Sequence, residues 1–484
     1  MHHALIFNVH EMGNRRPAGA HRIASYLREH EWDVEVIDWP VYWKLEELQE
    51  LCNSRITSNT VFCGFGCFWG FWNEKFETLA AWIKTKWPNV KHVYGSNTNP
   101  RFSSKSIDYY VVGYGEKAIL EVVKSLVGNT DVKLAFDPLF FGSKKLISAN
   151  QSYPAFPMRS LKIIYEDRDH IIPSEWLTTE LARGCKFSCK FCNYPILGVK
   201  TDHSRDAEDF EIQMRDTYDR FGVTNYYISD ETINESTDRL NKYADVVEKL
   251  NFTPLYYGFI RADLMVADPG QLEAMTRMRM LGHYYGVESM HHPTGKIIGK
   301  GMNPDKLMPG ILNAKNVLSK VGPYRGTISL ICGLPHETQS TWQKGVQWLK
   351  DNWAGEGVNL FALDITTDPL DAKLSYISQN YKQLGYREST KPLEEFKNPD
   401  MKAEYGQSLL NWENDNMTLS QSIKLVEAGY SLLGPQMGVN TWSFSDFSLT
   451  RSPEEIVKIP TMTPVPSDAI AKLHRDYIEK KLNG

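Results

Sequence analysis

The feature that most constrains this chain is an alternation of short apolar runs with helix-length amphipathic segments, met twice along its 484 residues. Residues 4–9, 32–37, 60–66, 90–94 and 108–112 read as strands. Residues 20–29 and 73–86 read as helices, because Ile23, Ala24 and Leu27, and Phe76, Leu79, Ala80 and Ile83, recur at helical spacing. Strands parted by helix-length segments predict βαβ units, and so a parallel sheet with ligands at the strand C-termini. Residues 1–128 are therefore expected to form a doubly wound, Rossmann-like α/β domain. A second series begins at Trp176, with strands at 176–182, 225–229, 254–260, 283–287, 327–331 and 359–365. Six such units predict a whole or partial TIM-type β/α barrel over 176–375, with its chemistry at the strand C-termini. Residues 129–175 carry Pro138, Pro154, Pro157 and Pro173 and read as a linker with short strands. Residues 376–484 read as an α-rich extension over the barrel mouth, with a helix at 419–433 and a final short helix.

Composition removes several classes of function. Lys and Arg number 54 against 59 Asp and Glu, a net charge of −5, so nothing in the total demands a polyanion partner. The apolar stretch from Val61 to Trp72 is too short to span a bilayer, which takes about 20 residues. The N-terminus shows neither a basic segment nor a small-residue cleavage site, and the expectation is a cytoplasmic protein with no membrane partner. Three of the seven cysteines, Cys185, Cys189 and Cys192, crowd into eight residues, which in a reducing compartment favours a metal or redox role. Cys52, Cys63, Cys67 and Cys332 lie in or beside apolar segments, where buried inert thiols are expected.

The cysteine segment reads Glu180-Leu-Ala-Arg-Gly-Cys185-Lys-Phe-Ser-Cys189-Lys-Phe-Cys192. Thiols at this spacing fold over three corners of an iron–sulfur cube and leave the fourth iron without a protein ligand. Gly184 permits the tight backbone approach, and Phe187 and Phe191 can shield the cluster. The competing reading is a zinc site with His203 as fourth ligand, although zinc motifs usually come as paired Cys-x2-Cys halves. Cys-x3-Cys-x2-Cys just after the first strand of a βα series resembles the signature of the radical S-adenosylmethionine (SAM) superfamily. That resemblance implies a [4Fe-4S] cluster on Cys185, Cys189 and Cys192. It also implies SAM chelated at the open iron, a 5′-deoxyadenosyl radical, and a one-electron donor such as flavodoxin or ferredoxin.

Later segments resemble further elements of the superfamily, each at a predicted strand end. They imply SAM contacts at Phe191, at Asp230 and Glu231 after the second strand, and at Arg261 after the third. Gly286-Val-Glu288-Ser289 resembles the Gly-x-Glu-Ser element. Ile331-Cys-Gly333-Leu-Pro-His336-Glu337 resembles a Gly-Leu-Pro-Gly-Glu element, with His336 in place of its second glycine. Taken singly, Asp230 or Glu288 equally suits a helix cap, and Arg261 a surface ion pair.

The first domain resembles the one that precedes the barrel in the cobalamin-binding subfamily. The matching residues are Arg16-Pro17-Ala-Gly19, the strand ending at Gly66, and Asp108-Tyr-Tyr-Val-Val-Gly-Tyr-Gly115-Glu116. The resemblance implies cobalamin resting on Gly66, Gly95 and Gly115, with His10 either a lower axial ligand held by Asn8 or a solvated loop histidine. Gly95-Ser96-Asn97 stands where the subfamily has Gly-Gly. The aromatic run from Phe65 to Trp72 suits either a corrin floor or interdomain core. The implied function is cobalamin-dependent methyl transfer to an unactivated carbon. The alternatives are a cobalamin-independent isomerase or cyclase, a nucleic-acid base modifier, and a zinc-stabilised binding module. The substrate stays open among small molecules, peptides and nucleic-acid bases.

Overall fold

The structure, a computed structural model, describes residues 1–13, 15–97, 104–128, 139–141, 144–148, 158, 162–192, 203–367, 375–391, 410–434 and 467–484. The expected loops at Pro138, Pro154 and Pro157, and the Pro-rich turn at 460–466, lie outside the described residues.

The first sheet contains β1 (His2–Val9), β3 (Trp32–Asp38), β4 (Thr60–Cys67), β5 (Lys91–Ser96) and β6 (Tyr109–Val112), whereas β2 (Arg15–Arg16) leaves it for the second sheet. Its parallel core runs in the order β3-β1-β4-β5-β6 and is extended by the antiparallel pair β7 (Leu139–Phe141) and β8 (Lys144–Ser148), with β8 parallel to β6. Two strands of the stretch read as a linker thus complete the first sheet. Side chains alternate across it. Ala4 and Ile6 of β1 pack with helices α1 (Ala18–Arg28) and α4 (Glu116–Gly128), and Leu5, Phe7 and Val9 pack with α2 (Leu45–Arg55) and α3 (Glu74–Lys86). This is the doubly wound arrangement expected. Its strand order reverses between β1 and β4, and ligands of such sheets bind at the carboxyl ends beside that point.

The second sheet contains β9 (Trp176–Thr179), β12 (Asn225–Ile228), β13 (Leu255–Ile260), β14 (Met280–Glu288), β15 (Arg325–Cys332) and β16 (Gly357–Ala362), all parallel. Between β9 and β12 a short antiparallel pair forms from β10 (Ala182–Arg183) and β11 (His203–Ser204). The strand expected over 176–182 stops at Thr179 because the chain bends there. The Leu181 amide donates to Asp230 Oδ1 at 2.8 Å, and the Glu180 side chain turns to Arg22 and Arg183.

The seventh strand of this partial barrel comes from the other domain. β2 pairs in parallel with β9, Arg15 opposite Trp176 and Arg16 opposite Leu177, and the Thr178 hydroxyl donates to the Arg16 carbonyl at 2.6 Å. The wholly buried Arg16 guanidinium grips Glu175 with two bonds, at 2.6 and 3.0 Å, and also donates to Asp38. It lies over the rings of Trp39 at 4.4 Å and Tyr477 at 5.1 Å. Burial opposes its charge, but Glu175 and Asp38 outweigh burial and hold its proton more tightly than usual.

The C-terminal part divides between the two domains. The helix Leu419–Leu433 packs on β15, β16 and the helix Gln339–Asn352. The final helix, Ser467–Asn483, instead buries Leu473, Tyr477 and Ile478 in the core of the first domain, away from the barrel mouth expected for it. Tyr477 Oη accepts the Asp38 amide at 2.9 Å, and Lys481 pairs with Glu35 at 2.9 Å. Among the described residues no helix is long and apolar enough to cross a membrane.

Replacing Arg16 by Met removes one cation from between two buried carboxylates. We expect a loss of about 3–5 kcal/mol of stability, the usual cost of breaking a buried ion pair from one side. Denaturant titration of the full chain checks this, and an unchanged midpoint would contradict it.

Candidate functional site

The carboxyl ends of both sheets border one cavity of about 280 Å³. From the first domain it is lined by Asn8 at the end of β1, Gly66 at the end of β4, Gly95 in β5 and Gly113-Tyr114-Gly115 after β6. The barrel contributes Glu180, Arg183, Ser229, Glu231 and Phe259. Gly66, Gly95 and Gly115, the three glycines singled out in the sequence, therefore share one wall. A Cβ added at Gly19 would meet no atom within 4 Å, and one at Gly95 only the Phe65 carbonyl at 4.0 Å, so bare backbone faces open space at both. Phe65 and Phe68 also line this wall, while Phe65 stacks on Phe7 at 5.2 Å and so serves the domain core as well.

His10 lies apart from that lining. Its Nδ1 accepts the Met12 amide at 3.1 Å, and burial lowers its pKa to about 3, so the ring stays neutral. Asn8, expected to hold it, instead donates to Asp38 at 2.8 Å and to the Pro17 carbonyl at 3.2 Å.

Two cations and two anions close the cavity between the domains. Arg22 of α1 reaches Glu180 at 2.6 Å, Arg183 reaches Glu180 at 3.0 Å, and Arg183 also binds Glu116 of α4. All four are buried, and the arginines outweigh burial enough to hold the Glu180 carboxyl down at about 2. Mutual neutralisation lets such charges stand in a low-dielectric wall. Glu231 makes a second cross-domain tie, accepting from Tyr114 Oη at 2.6 Å and from the Gly184 amide at 3.0 Å.

Cys185, Cys189 and Cys192 form no disulfide and are half-buried in the loop after β10. Backbone bonds hold that loop: the Lys190 amide donates to the Ile298 carbonyl and the Ile377 amide to the Lys190 carbonyl, both at 3.0 Å. Gly299, at φ +88°, lets Cys189 approach; its missing Cβ would lie 3.5 Å from Cys189 Cα. Arg261 lies over the Phe187 ring at 3.7 Å and donates to Cys189 Sγ at 3.3 Å, to the Gly299 carbonyl at 3.0 Å and to Asp263 at 2.9 Å. Burial works against its charge, yet Asp263 and Cys189 outweigh burial and raise its pKa. Arg261 thus serves the cysteine loop and already carries a carboxylate. Phe191 packs on the barrel core, with Lys300 Nζ 5.9 Å from its ring. Among the described residues no three His, Cys, Asp or Glu side chains converge on a single-ion site, and His203 stands in β11 opposite Arg183. One ion needs donors meeting at a point, whereas a cube needs them spread over separate corners.

The remaining sequence-predicted residues lie at the ends of β12, β14 and β15. Asp230 is buried against the Leu181 amide, and burial pushes its pKa up to about 8. Glu288, at φ +68°, accepts from Ser329 at 3.3 Å and faces Lys300 at 3.9 Å. Ser289 donates to Glu337 at 2.9 Å, and Glu337 also accepts the Gly333 amide at 2.9 Å, which ties β14 to the turn after β15. Ile331, the last residue but one of β15, stands opposite Phe361. Gly333 sits at φ +95°, with Trp412 packed where its Cβ would be. His336, at φ +64°, keeps the left-handed backbone for which the resembled element has glycine. Of this group only Glu231 lines the cavity. Sequence reasoning missed Arg22, Tyr114, Glu116, Glu180 and Arg183 as a set. The available signal was charge placed directly before the cysteines, in Glu180-x2-Arg183.

No family model matches the chain. A candidate methylthiotransferase of Methanocaldococcus jannaschii is 30% identical over 167 residues, which is 33% of this chain and 36% of that protein, so the match spans about a third of the relative's length. Among solved structures, the radical SAM methyltransferase TsrM from Kitasatospora setae, with tryptophan substrate and a SAM analogue bound, superimposes with a TM-score of 0.65 at 14% identity, covering 99% of both chains. The same enzyme is also known with cobalamin and a [4Fe-4S] cluster bound. The cobalamin-dependent radical SAM enzyme OxsB, with aqua-cobalamin and SAM bound, gives a TM-score of 0.56 at 20% identity over 79% of this chain and 56% of that one. The fold is the one seen in TsrM and OxsB: a Rossmann-like domain followed by a partial β/α barrel. Among its solved representatives, TsrM matches this chain from end to end.

Burial raises the Glu337 carboxyl to about 8. A carboxyl with a higher pKa folded than unfolded contributes stability that is present at low pH and lost as pH rises, here between about 4.5 and 8. Glu337→Gln should therefore lose less stability than the parent between pH 5 and 8. Thermal melts across that range check this, and parallel curves would contradict it.

Proposed function

We propose that this chain is a cobalamin-dependent radical SAM enzyme that transfers a methyl group to an unactivated carbon. The observation that carries the proposal is the single cavity bordered by the glycine wall of one domain and by the strand ends beside the three-cysteine loop of the other. The residues fit the groups implied. Half-buried thiols suit a cluster that must meet SAM, and the open backbone at Gly19 and Gly95 suits a broad flat ligand. When bound, the cluster supplies an electron to the SAM sulfonium and the corrin carries the methyl group.

The chain's own residues do the positioning. Cys185, Cys189 and Cys192 are the cluster ligands, and the Arg261 guanidinium holds Cys189 in place by donating to its Sγ at 3.3 Å. The Ser289–Glu337–Gly333 bonds fix the end of β14 against the turn after β15. In the Arg22–Glu180–Arg183–Glu116 wall two cations face two anions, so the set stands buried with its charges balanced. A one-electron donor such as flavodoxin or ferredoxin would reduce the cluster. The methyl acceptor belongs to the open classes of small molecule, peptide or nucleic-acid base. Transfer of a methylthio group is a second reading, supported by the archaeal relative; the mass added to product separates the two.

Anaerobically reconstituted protein should hold iron and sulfide, bind hydroxocobalamin with a corrin absorbance, and cleave SAM. Cys185→Ala, Cys189→Ala and Cys192→Ala should each abolish release of 5′-deoxyadenosine. Undiminished SAM cleavage in any of them would overturn the cluster assignment, and lack of corrin uptake by the parent would overturn the cobalamin assignment.

A further inference from the structure

Two details of Glu231 lie outside what a SAM or corrin contact requires. Its carboxylate is shared between the domains, accepting from Tyr114 Oη at 2.6 Å through one oxygen and from the Gly184 amide at 3.0 Å through the other. Both donors occupy constrained places. Tyr114 stands between Gly113, at φ +98°, and Gly115, and all three line the cavity. Gly184, at φ +85°, immediately precedes Cys185. The next residue repeats the tie: the Thr232 hydroxyl donates to the Glu231 carbonyl at 2.7 Å and lies 3.4 Å from Cys185 Sγ. A continuous chain of bonds therefore runs from the glycine wall to the first cysteine.

We propose that Glu231 is a positioning residue that couples the contents of the cavity to the cysteine loop, through Tyr114 on one side and Gly184 on the other. The inference rests on the reading that the cavity takes a corrin and the loop a cluster. Tyr114 lines the same cavity as Gly95 and Gly115, so a ligand seated on those glycines meets it there. Displacing the phenol removes one hydrogen bond from the carboxylate and leaves more of its hydrogen bonding to the amide beside Cys185. The potential of an iron–sulfur cluster follows the charge and hydrogen bonds around it, so filling the cavity shifts that potential. The Arg183 guanidinium, bonded to Glu116 and Glu180, lies over the Tyr114 ring at 4.4 Å and so links the ring to the charged part of the wall.

The test uses the full chain with its cluster reconstituted. The cluster midpoint potential is read from its own EPR signal, without corrin and with hydroxocobalamin pre-reduced to the cobalt(II) form. The parent should bind the corrin and show a shifted midpoint. Tyr114→Phe should hold the same iron and corrin and lose the shift. A Tyr114→Phe shift equal to the parent's would overturn the proposal, as would corrin binding by the parent with no shift. Absence of corrin binding by the parent would instead overturn the cobalamin reading and this inference with it. Should Tyr114→Phe fail to take up corrin, Glu231→Gln decides: corrin bound without a shift supports the coupling, and a retained shift overturns it. Loss of corrin from both variants would also overturn it, by making the pair part of the corrin's own seat. A merely structural tie would change the melting temperature and leave the potential alone.

Discussion

Arg15 and Arg16 leave the first domain to become the last strand of the barrel's sheet, and the geometry of the site depends on that join. A pair of domains joined only by a linker would be free to turn against each other, since interdomain contacts within a chain are usually modest and polar. Here the chain crosses early. The crossing is fixed by a ladder with β9 and by one buried guanidinium shared between Asp38 of β3 and Glu175 beside β9. The final helix then covers the crossing, placing Tyr477 over Arg16. With the two sheets held this way, their carboxyl ends border the same cavity.

That arrangement reconciles two chemical needs. A large planar cofactor wants open backbone, which glycines at the ends of parallel strands provide. A redox cluster wants a rigid, partly shielded loop, which here comes from backbone bonds at Gly184 and Lys190 and from the Arg261 guanidinium. The boundary between them is lined with charge, yet the charges cancel: Arg22 and Arg183 against Glu116 and Glu180. A lone member of that set would be costly to bury. The set as a whole costs less and fixes the spacing of α1, α4 and the segment leading to the cysteines.

Much of this was legible in the sequence because it follows from local pattern. Apolar periodicity placed both sheets, and the resemblance of strand-end motifs to the cobalamin-binding subfamily singled out Gly66, Gly95 and Gly115, which share one wall. The cysteine spacing marked the loop. What was not legible is what forms only when distant segments meet. Two arginines after a loop carry no strand signal, and β2 exists because β9 offers an unpaired edge. Arg261 looked like a free cation for a carboxylate, but its partner Asp263 lies two residues on and its charge serves Cys189. His10 suggested a ligand by its place after β1, but it is not among the residues lining the cavity, and its Nδ1 accepts the Met12 amide. The last helix reads as amphipathic in either setting, and only the exposed face of the first domain decided where it packs.

The central claim is that one chain holds a site-open iron–sulfur cube and a corrin across a shared cavity. The most direct check is elemental analysis of the full chain, reconstituted without oxygen and freed of unbound material. The account predicts about four irons with matching sulfide, and one cobalt, per chain. A tightly held zinc in place of iron, or iron without any cobalt, would contradict it.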